Sequence, residues 1–310
     1  MRILYFGDPR ALLGLLNFPS GLISLCGIIH GRSGGEGSRT LATILKKNHL
    51  KNIPRWRLPN LEHSDVQDAL AETQPQLIVS AFYPRRIPQE ILDLAPGINV
   101  HPSRLPQWRG PDPAFWVIHE QESETAITIH RLSDQLDEGN ILYQEKIRVG
   151  KRESGGALAV RLERRAAQIM VKYVKMLAMD KMWHTKLEGQ PQEGLSSWAP
   201  LMDPNDLEVD WQKSAFQIDA LVRAAAPDPC AFSGLGNELM VIHRGRVGQL
   251  SSPLSEQERS FIPVGQAFID DKNCYIRCGE GFYQLNDVTI GRRRLKGEKL
   301  ALLLGAQLKR

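Results

Sequence analysis

Long apolar runs are missing from this chain. None approaches the roughly 18 residues of a membrane helix, so no membrane span is expected. Cysteine is scarce: Cys26, Cys230, Cys274 and Cys278 are the four in 310 residues. Only Cys274 and Cys278 are near neighbours, and no second Cys or His pair completes a zinc site. A disulfide scaffold and a zinc module are therefore excluded, and four reduced thiols in a cytoplasmic protein are expected. Charge of either sign is nearly balanced, at +4 for the whole chain. Residues 204–310 hold 14 Lys and Arg against 13 Asp and Glu, a balance of +1, which leaves +3 for residues 1–203. Neither part has the composition of a strongly basic nucleic-acid binder. The local exception is Arg292-Arg293-Arg294-Leu295-Lys296 with Lys299, Lys309 and Arg310, offset by Glu298. Internal repeats and low-complexity tails are also absent. The first turn, Gly7-Asp8-Pro9-Arg10, lacks the G-x-G-x-x-G phosphate fingerprint and so argues against a dinucleotide-binding oxidoreductase.

What is present is an alternation of short apolar runs and amphipathic stretches. Met1 to Gly7 is too short for a signal peptide and reads as a first strand over Ile3 to Phe6, followed by a helix from Ala11. Leu22 to Ile29 is a second run, leading into the Gly-rich Gly31 to Ser38. Thr40 to Asn48 places Leu41, Ile44 and Leu45 at helical spacing. Ser64 is a candidate cap for a helix through Glu72, and Pro88 to Leu94 for another. Leu77 to Ser80 and Ile98 to His101 read as buried strands. Short apolar strands alternating with helices predict a parallel α/β, Rossmann-like sheet, whose ligands sit beyond the carboxyl ends of its strands. Thr128 to Leu132 and Ile141 to Gln144 add strands, and Ser154 caps a long helix carrying Leu158, Leu162, Ile169, Tyr173 and Leu177. Glu188 to Ser197, rich in Gly, Gln and Ser, reads as a linker. Strand-like runs at 239–242, 267–269, 274–276 and 282–285 predict a smaller β-barrel, OB-like, as the second domain. The expected division is 1–187, a linker at 188–203, and 204–310.

One constellation stands out. In Ile98-Asn99-Val100-His101 the amide and the imidazole lie two residues apart and so project from one face of a strand. A carboxylate from Leu136-Asp137-Glu138-Gly139 can reach them. An amide, an imidazole and a carboxylate converging at a strand end can polarise a carbonyl and manage a proton, which suits acyl transfer without a covalent intermediate. His119 and His130 fall outside this pattern and read as structural or surface residues.

The stretch from Asn99 through His101-Pro102-Ser103-Arg104-Leu105-Pro106-Gln107-Trp108-Arg109 to Gly110 resembles the signature loop of the 10-formyltetrahydrofolate-dependent formyltransferases. Glu124 to Ile129 and Leu136 to Leu142 resemble the family's next two blocks, in order and spacing. Asp210-Trp211-Gln212-Lys213-Ser214 and Leu221 to Ala224 are similar to the start of the C-terminal domain of methionyl-tRNA formyltransferases. A similar domain follows the formyltransferase part of the enzyme acting on UDP-4-amino-4-deoxyarabinose. The resemblance implies a catalytic trio of Asn99, His101 and Asp137. Asn99 and a His101 N–H would donate to the formyl oxygen, and Asp137 would either orient the imidazole or accept the amine's proton. It also implies 10-formyltetrahydrofolate as formyl donor, no metal, and a pterin held by Phe82, Tyr83, Arg85, Arg86 and Ile87 and by Asp134, Gln135 and Leu136.

Ser103, Arg104, Arg109 and Gly110 are the candidate contacts to the amine acceptor, with Trp116 just beyond them. Arg104 stands where the family commonly has leucine, and Ala126 where it commonly has glycine. The loop Gly31 to Arg39 is short and nearly neutral, where the tRNA-modifying enzymes carry a longer basic one. The resulting expectation is a cytoplasmic N-formyltransferase acting on a small-molecule amine such as an amino-sugar nucleotide, with initiator methionyl-tRNA as the alternative. No membrane and no obligate protein partner are expected. A non-catalytic folate-binding or dinucleotide-binding protein is the remote alternative.

Overall fold

The computed structural model describes residues 1–16, 21–30, 52–236, 238–251 and 261–297, together with 41, 43, 45, 46, 299, 300 and 302. The Gly-rich run, the short loop 31–39, most of the helix expected at 40–48, and Glu298, Lys309 and Arg310 lie outside the described residues. Two units emerge. The first comprises 1–113, 124–148 and 160–200, and the second 114–123, 149–159 and 201–310.

The first unit is built on a seven-stranded sheet. Strands β1 (Arg2–Gly7), β2 (Ser24–His30), β3 (Arg55–Arg57), β4 (Leu77–Ala81) and β5 (Gly97–His101) run parallel. Strands β6 (Glu124–Arg131) and β7 (Ile141–Arg148) complete the order β3-β2-β1-β4-β5-β6-β7. The parallel expectation therefore holds for five strands, while β6 and β7 join antiparallel. For β7 the reason is chain length, since the loop 132–140 is too short for the crossover that a strand parallel to β6 would need.

Helix α1 (Pro9–Leu16) starts where Asp8 Oδ1 accepts the Arg10 N–H at 2.7 Å, with Pro9 supplying a first residue that has no N–H to satisfy. Helix α2 (Ser64–Ala71) has His63 at its cap, so Ser64 is the first helical residue rather than the cap. Helix α3 shrinks to a single turn, Gln89–Leu92. Leu4 and Phe6 of β1, Ile29 of β2 and Ile78 of β4 pack with Leu70 and Ile91 of those helices into one core cluster, which also takes in Ile87. Such burial supplies most of the stability of short helices like these.

A helix α4 (Pro113–His119) precedes β6, and the long α5 (Gly155–Met179) follows β7. Ser154 Oγ accepts the Ala157 N–H at 3.3 Å, as the sequence suggests for a cap. In the second unit, α6 (Ala215–Ala225) carries a full capping box. Ser214 Oγ accepts the Gln217 N–H at 3.2 Å, and Gln217 Oε1 accepts the Ser214 N–H at 3.0 Å. Helix α6 packs on an antiparallel sheet of β8 (Ala231–Leu235), β9 (Glu238–Val247), β10 (Ala267–Asp270), β11 (Asn273–Arg277), β12 (Phe282–Ile290) and β13 (Arg293–Lys296). Its order is β10-β11-β12-β9-β8, with β13 on β12. Among the described residues these ladders form an open path from β10 to β8. All four cysteines are free, and burial pushes the Cys274 and Cys278 thiols up to about 12. Among the described residues no helix is long and apolar enough to cross a membrane, and no group of three or more His, Cys, Asp or Glu could hold a metal ion.

Candidate active site

Pleating of β5 sends Ile98 and Val100 into the core and Asn99 and His101 to the other face. The register of β6 sets His130 opposite Asn99 and Thr128 opposite His101, so all four polar side chains share that face. Thr128 Oγ1 donates to Ser103 O at 2.6 Å and accepts from Gln144 Nε2 at 2.9 Å, which ties the signature loop to the sheet. Asp137 arrives from the β6–β7 loop. The structure thus brings Asn99, His101 and Asp137 together, and adds His130.

His130, outside the sequence pattern, is a fourth member of the cluster. It is 1% exposed, with Nε2 at 3.0 Å from Asn99 Nδ2 and 3.3 Å from Asp137 Oδ1. Its Nδ1 lies 2.9 Å from Arg131 O, which can only accept, so Nδ1 carries a proton. Nε2 faces both Asn99 Nδ2 and Asp137 Oδ1, accepting from the amide when the ring is neutral and donating to the carboxylate when the ring is protonated. His101 is arranged in the same way. Its Nε2 donates to Trp108 O at 2.9 Å and its Nδ1 lies 3.5 Å from Asp137 Oδ2. Two imidazoles therefore flank one carboxylate, each with its far nitrogen fixed as a donor to a backbone carbonyl. Asn99 Nδ2 also donates to Asp137 Oδ1 at 3.3 Å, and the Gly110 N–H to Asp137 Oδ2 at 2.9 Å.

The electrostatics follow from burial and charge. Asp137 is buried, which alone would raise its pKa. The two imidazoles and the Gly110 N–H outweigh burial and bring it down to about 2. Burial lowers the His101 pKa, and Asp137 and the Trp108 carbonyl only partly offset that. The cluster therefore sets an ionised carboxylate beside the His101 imidazole, whose burial favours the neutral ring. Such a group can receive a proton and stabilise the cation that results.

The remaining candidates fall in different places. Ser103 is fully buried, and its hydroxyl donates to Gln107 O at 2.8 Å. Arg104, 41% exposed, pairs with Glu124 at 2.8 Å. Arg109 donates through Nε and Nη2 to Gln192 and through Nη1 to Glu138. Gly110 has φ +109, which a side chain would strain, and holds Trp198 against it. Arg86 Nε donates to Asp134 O at 2.8 Å, which joins the segment of Phe82, Tyr83, Arg85, Arg86 and Ile87 to that of Asp134, Gln135 and Leu136. Ile87 is in the core, Leu136 is 45% exposed, and Tyr83 packs edge-on against Phe6 with its ring centroid 5.3 Å away. Trp116 packs edge-on against Phe115 and His119.

Two residues of the site leave no local signature in the sequence. The ladder register places His130 there, and Gln192 comes from the segment expected to be a linker.

Residues 34–174 match the family described as Formyl transferase, and residues 201–302 match Formyl transferase, C-terminal domain. The chain is 29% identical over 307 residues to the methionyl-tRNA formyltransferase of Alkaliphilus oremlandii, covering 95% of this chain and 94% of that one. An N-formyltransferase from Helicobacter canadensis, solved with folinic acid and dTDP-3-aminofucose, has the same fold. Its TM-score is 0.66 at 14% identity, over 91% of this chain and 97% of that one. HypX from Aquifex aeolicus, solved with tetrahydrofolic acid, aligns with TM-score 0.57 at 18% identity, over 100% of this chain and 48% of that one. The chain spans about half the length of HypX. With both sequence families matched in order along one chain, this protein belongs to the formyl transferase family.

Proposed function

We propose that this chain is an N-formyltransferase that moves a formyl group from 10-formyltetrahydrofolate to the primary amine of a small molecule such as an amino-sugar nucleotide. The cluster of Asn99, His101, His130 and Asp137 carries the reading. Because His101 Nε2 is committed to Trp108 O, the neutral ring holds its lone pair on Nδ1, next to Asp137. Its pKa lies below 6.5, so at pH 7 that lone pair is free. His101 Nδ1 takes the proton the attacking amine sheds, and the ionised Asp137 stabilises the imidazolium. The sequence leaves open whether Asp137 or His101 takes that proton. The expected His101 N–H on the formyl oxygen is withdrawn, because Trp108 O holds the neutral ring's one N–H. Asn99 Nδ2 can exchange its longer bond, 3.3 Å to Asp137, for the formyl oxygen as negative charge develops there. The proton held on His101 then goes to the departing nitrogen of the donor.

The donor supplies the activated formyl group, and the residues present fit it. Two backbone segments, Phe82 to Ile87 and Asp134 to Leu136, are joined by the Arg86 bond, with Leu136 offering exposed apolar surface. Tyr83 Oη is buried and, among the described residues, has no hydrogen-bond partner, so it is a polar atom ready for a ligand. Four free thiols suit a reducing compartment, and the proposed setting is the cytoplasm.

Charge favours the small acceptor. Of the cations in the cluster from Arg292 to Lys296, Arg294 and Lys296 are both paired with the buried Asp287, at 2.9 and 3.2 Å. Methionyl-tRNA is the second reading, favoured by the similarity to the Alkaliphilus oremlandii methionyl-tRNA formyltransferase. A formyl-transfer assay separates them, offering charged initiator methionyl-tRNA and, separately, amino-sugar nucleotides. Turnover of a small amine alone supports the main reading. Turnover of the tRNA alone replaces it with the second.

A further inference from the structure

Residues 188–199 look like a spacer, yet they are stitched to both loops that carry the proposed chemistry. On the signature loop, Ser197 Oγ accepts the Trp108 N–H at 2.9 Å, and the Ala199 N–H donates to Arg109 O at 2.7 Å. On the Asp137 loop, Gln190 and Ile141 exchange backbone bonds of 2.9 and 2.8 Å, and Asn140 Nδ2 donates to Glu188 O at 2.8 Å.

Gln192 stands between the two. Its Nε2 donates to Asp137 O at 2.7 Å and to Gly139 O at 2.9 Å, while its Oε1 accepts from Arg109 Nε at 3.1 Å and Nη2 at 2.8 Å. A carboxamide has two donor hydrogens and two acceptor lone pairs, so every one is used. Its orientation is also fixed, since backbone carbonyls cannot donate and a guanidinium cannot accept. Asp137 itself sits at φ +57, a left-handed conformation uncommon outside glycine though more accessible to aspartate than to most residues. The carbonyl of this residue is one of the two that Gln192 grips.

We infer that Gln192 is a positioning residue of the formyl-transfer reaction: it clamps the β6–β7 loop so that the Asp137 carboxylate stands between His101 and His130. The inference rests on the role given to Asp137 above. Gln192→Glu keeps an oxygen for Arg109 but sets a second oxygen against the two carbonyls, so it keeps the brace and loses the clamp. Gln192→Ala loses both.

Steady-state formylation and thermal melting of these two variants, beside Asp137→Asn, provide the test. Both Gln192 variants are expected to lose on the order of 10²-fold in kcat, the cost of a misplaced catalytic group, with KM for the amine little changed. Gln192→Glu is expected to melt no more than a few degrees below the wild type, since the ion pair gained with Arg109 offsets part of the repulsion between its second oxygen and the two carbonyls. Wild-type kcat in Gln192→Glu, with Asp137→Asn inactive, would overturn the inference and leave the catalytic reading standing. Loss of kcat only in step with loss of melting temperature would overturn it too. Full turnover in Asp137→Asn would overturn both.

Discussion

At the scale of single residues, the site is a problem in keeping a buried charge. Asp137 is 5% exposed and stays ionised because the Gly110 N–H donates to it and two imidazoles able to carry positive charge lie beside it. Asn99→Ala and Asp137→Asn are each expected to lower kcat on the order of 10³-fold with the circular dichroism spectrum unchanged. His130→Phe removes the acceptor for Asn99 Nδ2, and a loss of more than about tenfold in kcat is expected. Wild-type turnover there would make His130 a packing residue only. Because the His101 pKa is lowered, the acid limb of kcat/KM is expected below pH 6.5, with a plateau through neutrality.

The same groups make the fold acid-sensitive. Unfolded His101 binds a proton at 6.5, where the folded ring does not, so stability falls as pH drops through that value. Asp137 contributes stability above its unfolded value of 3.8, lost as pH falls from there towards about 2. A shift of that size is about 2 kcal/mol. Urea midpoints measured from pH 7 down to about pH 1.5 should show both steps, and Asp137→Asn should remove the lower one.

At the scale of elements, the loop between β6 and β7 is the most constrained piece. A Cβ on Gly139 would lie 1.8 Å from Arg131 O, so no side chain fits while that loop stays in place. Gly139→Ala is expected to cost about 1–3 kcal/mol and to lower kcat as the Asp137 carboxylate shifts. Wild-type kcat with wild-type melting would show that the loop relaxes freely. The capping box of α6 offers a contrast. Ser214→Ala should cost about 1 kcal/mol in the unit that contains α6 and leave kcat for a small amine unchanged. Capping and periodicity made the helices legible to different degrees. Ser154 and α5 follow the sequence pattern closely, whereas Ser64 and the 88–94 stretch have weaker signals and shift by a residue or shrink to one turn.

At the scale of the whole molecule, a net charge of +4 over 310 residues suits a small acceptor better than a nucleic acid. Formylation of a small amine is expected to vary little between 50 and 300 mM salt. A tRNA acceptor would instead show KM rising steeply with salt, less so after Arg292→Ala and Arg293→Ala, which remove exposed cations of β13 and its approach. A steep salt slope that these substitutions flatten would favour the second reading.

The sequence by itself determined the α/β class, the separate β-rich domain and the spacing that sets Asn99 and His101 on one face of β5. These depend on local periodicity and on residue types, which a linear chain carries in full. Tertiary structure decided the rest. The antiparallel turn of β6 and β7 set His130 opposite Asn99, and register is a property of two strands, not one. Gln192 reached Asp137 from 55 residues away, through a segment whose composition reads as a spacer. Its place came from hydrogen bonds to backbone carbonyls, and every residue has a carbonyl, so no side-chain pattern marks them in advance.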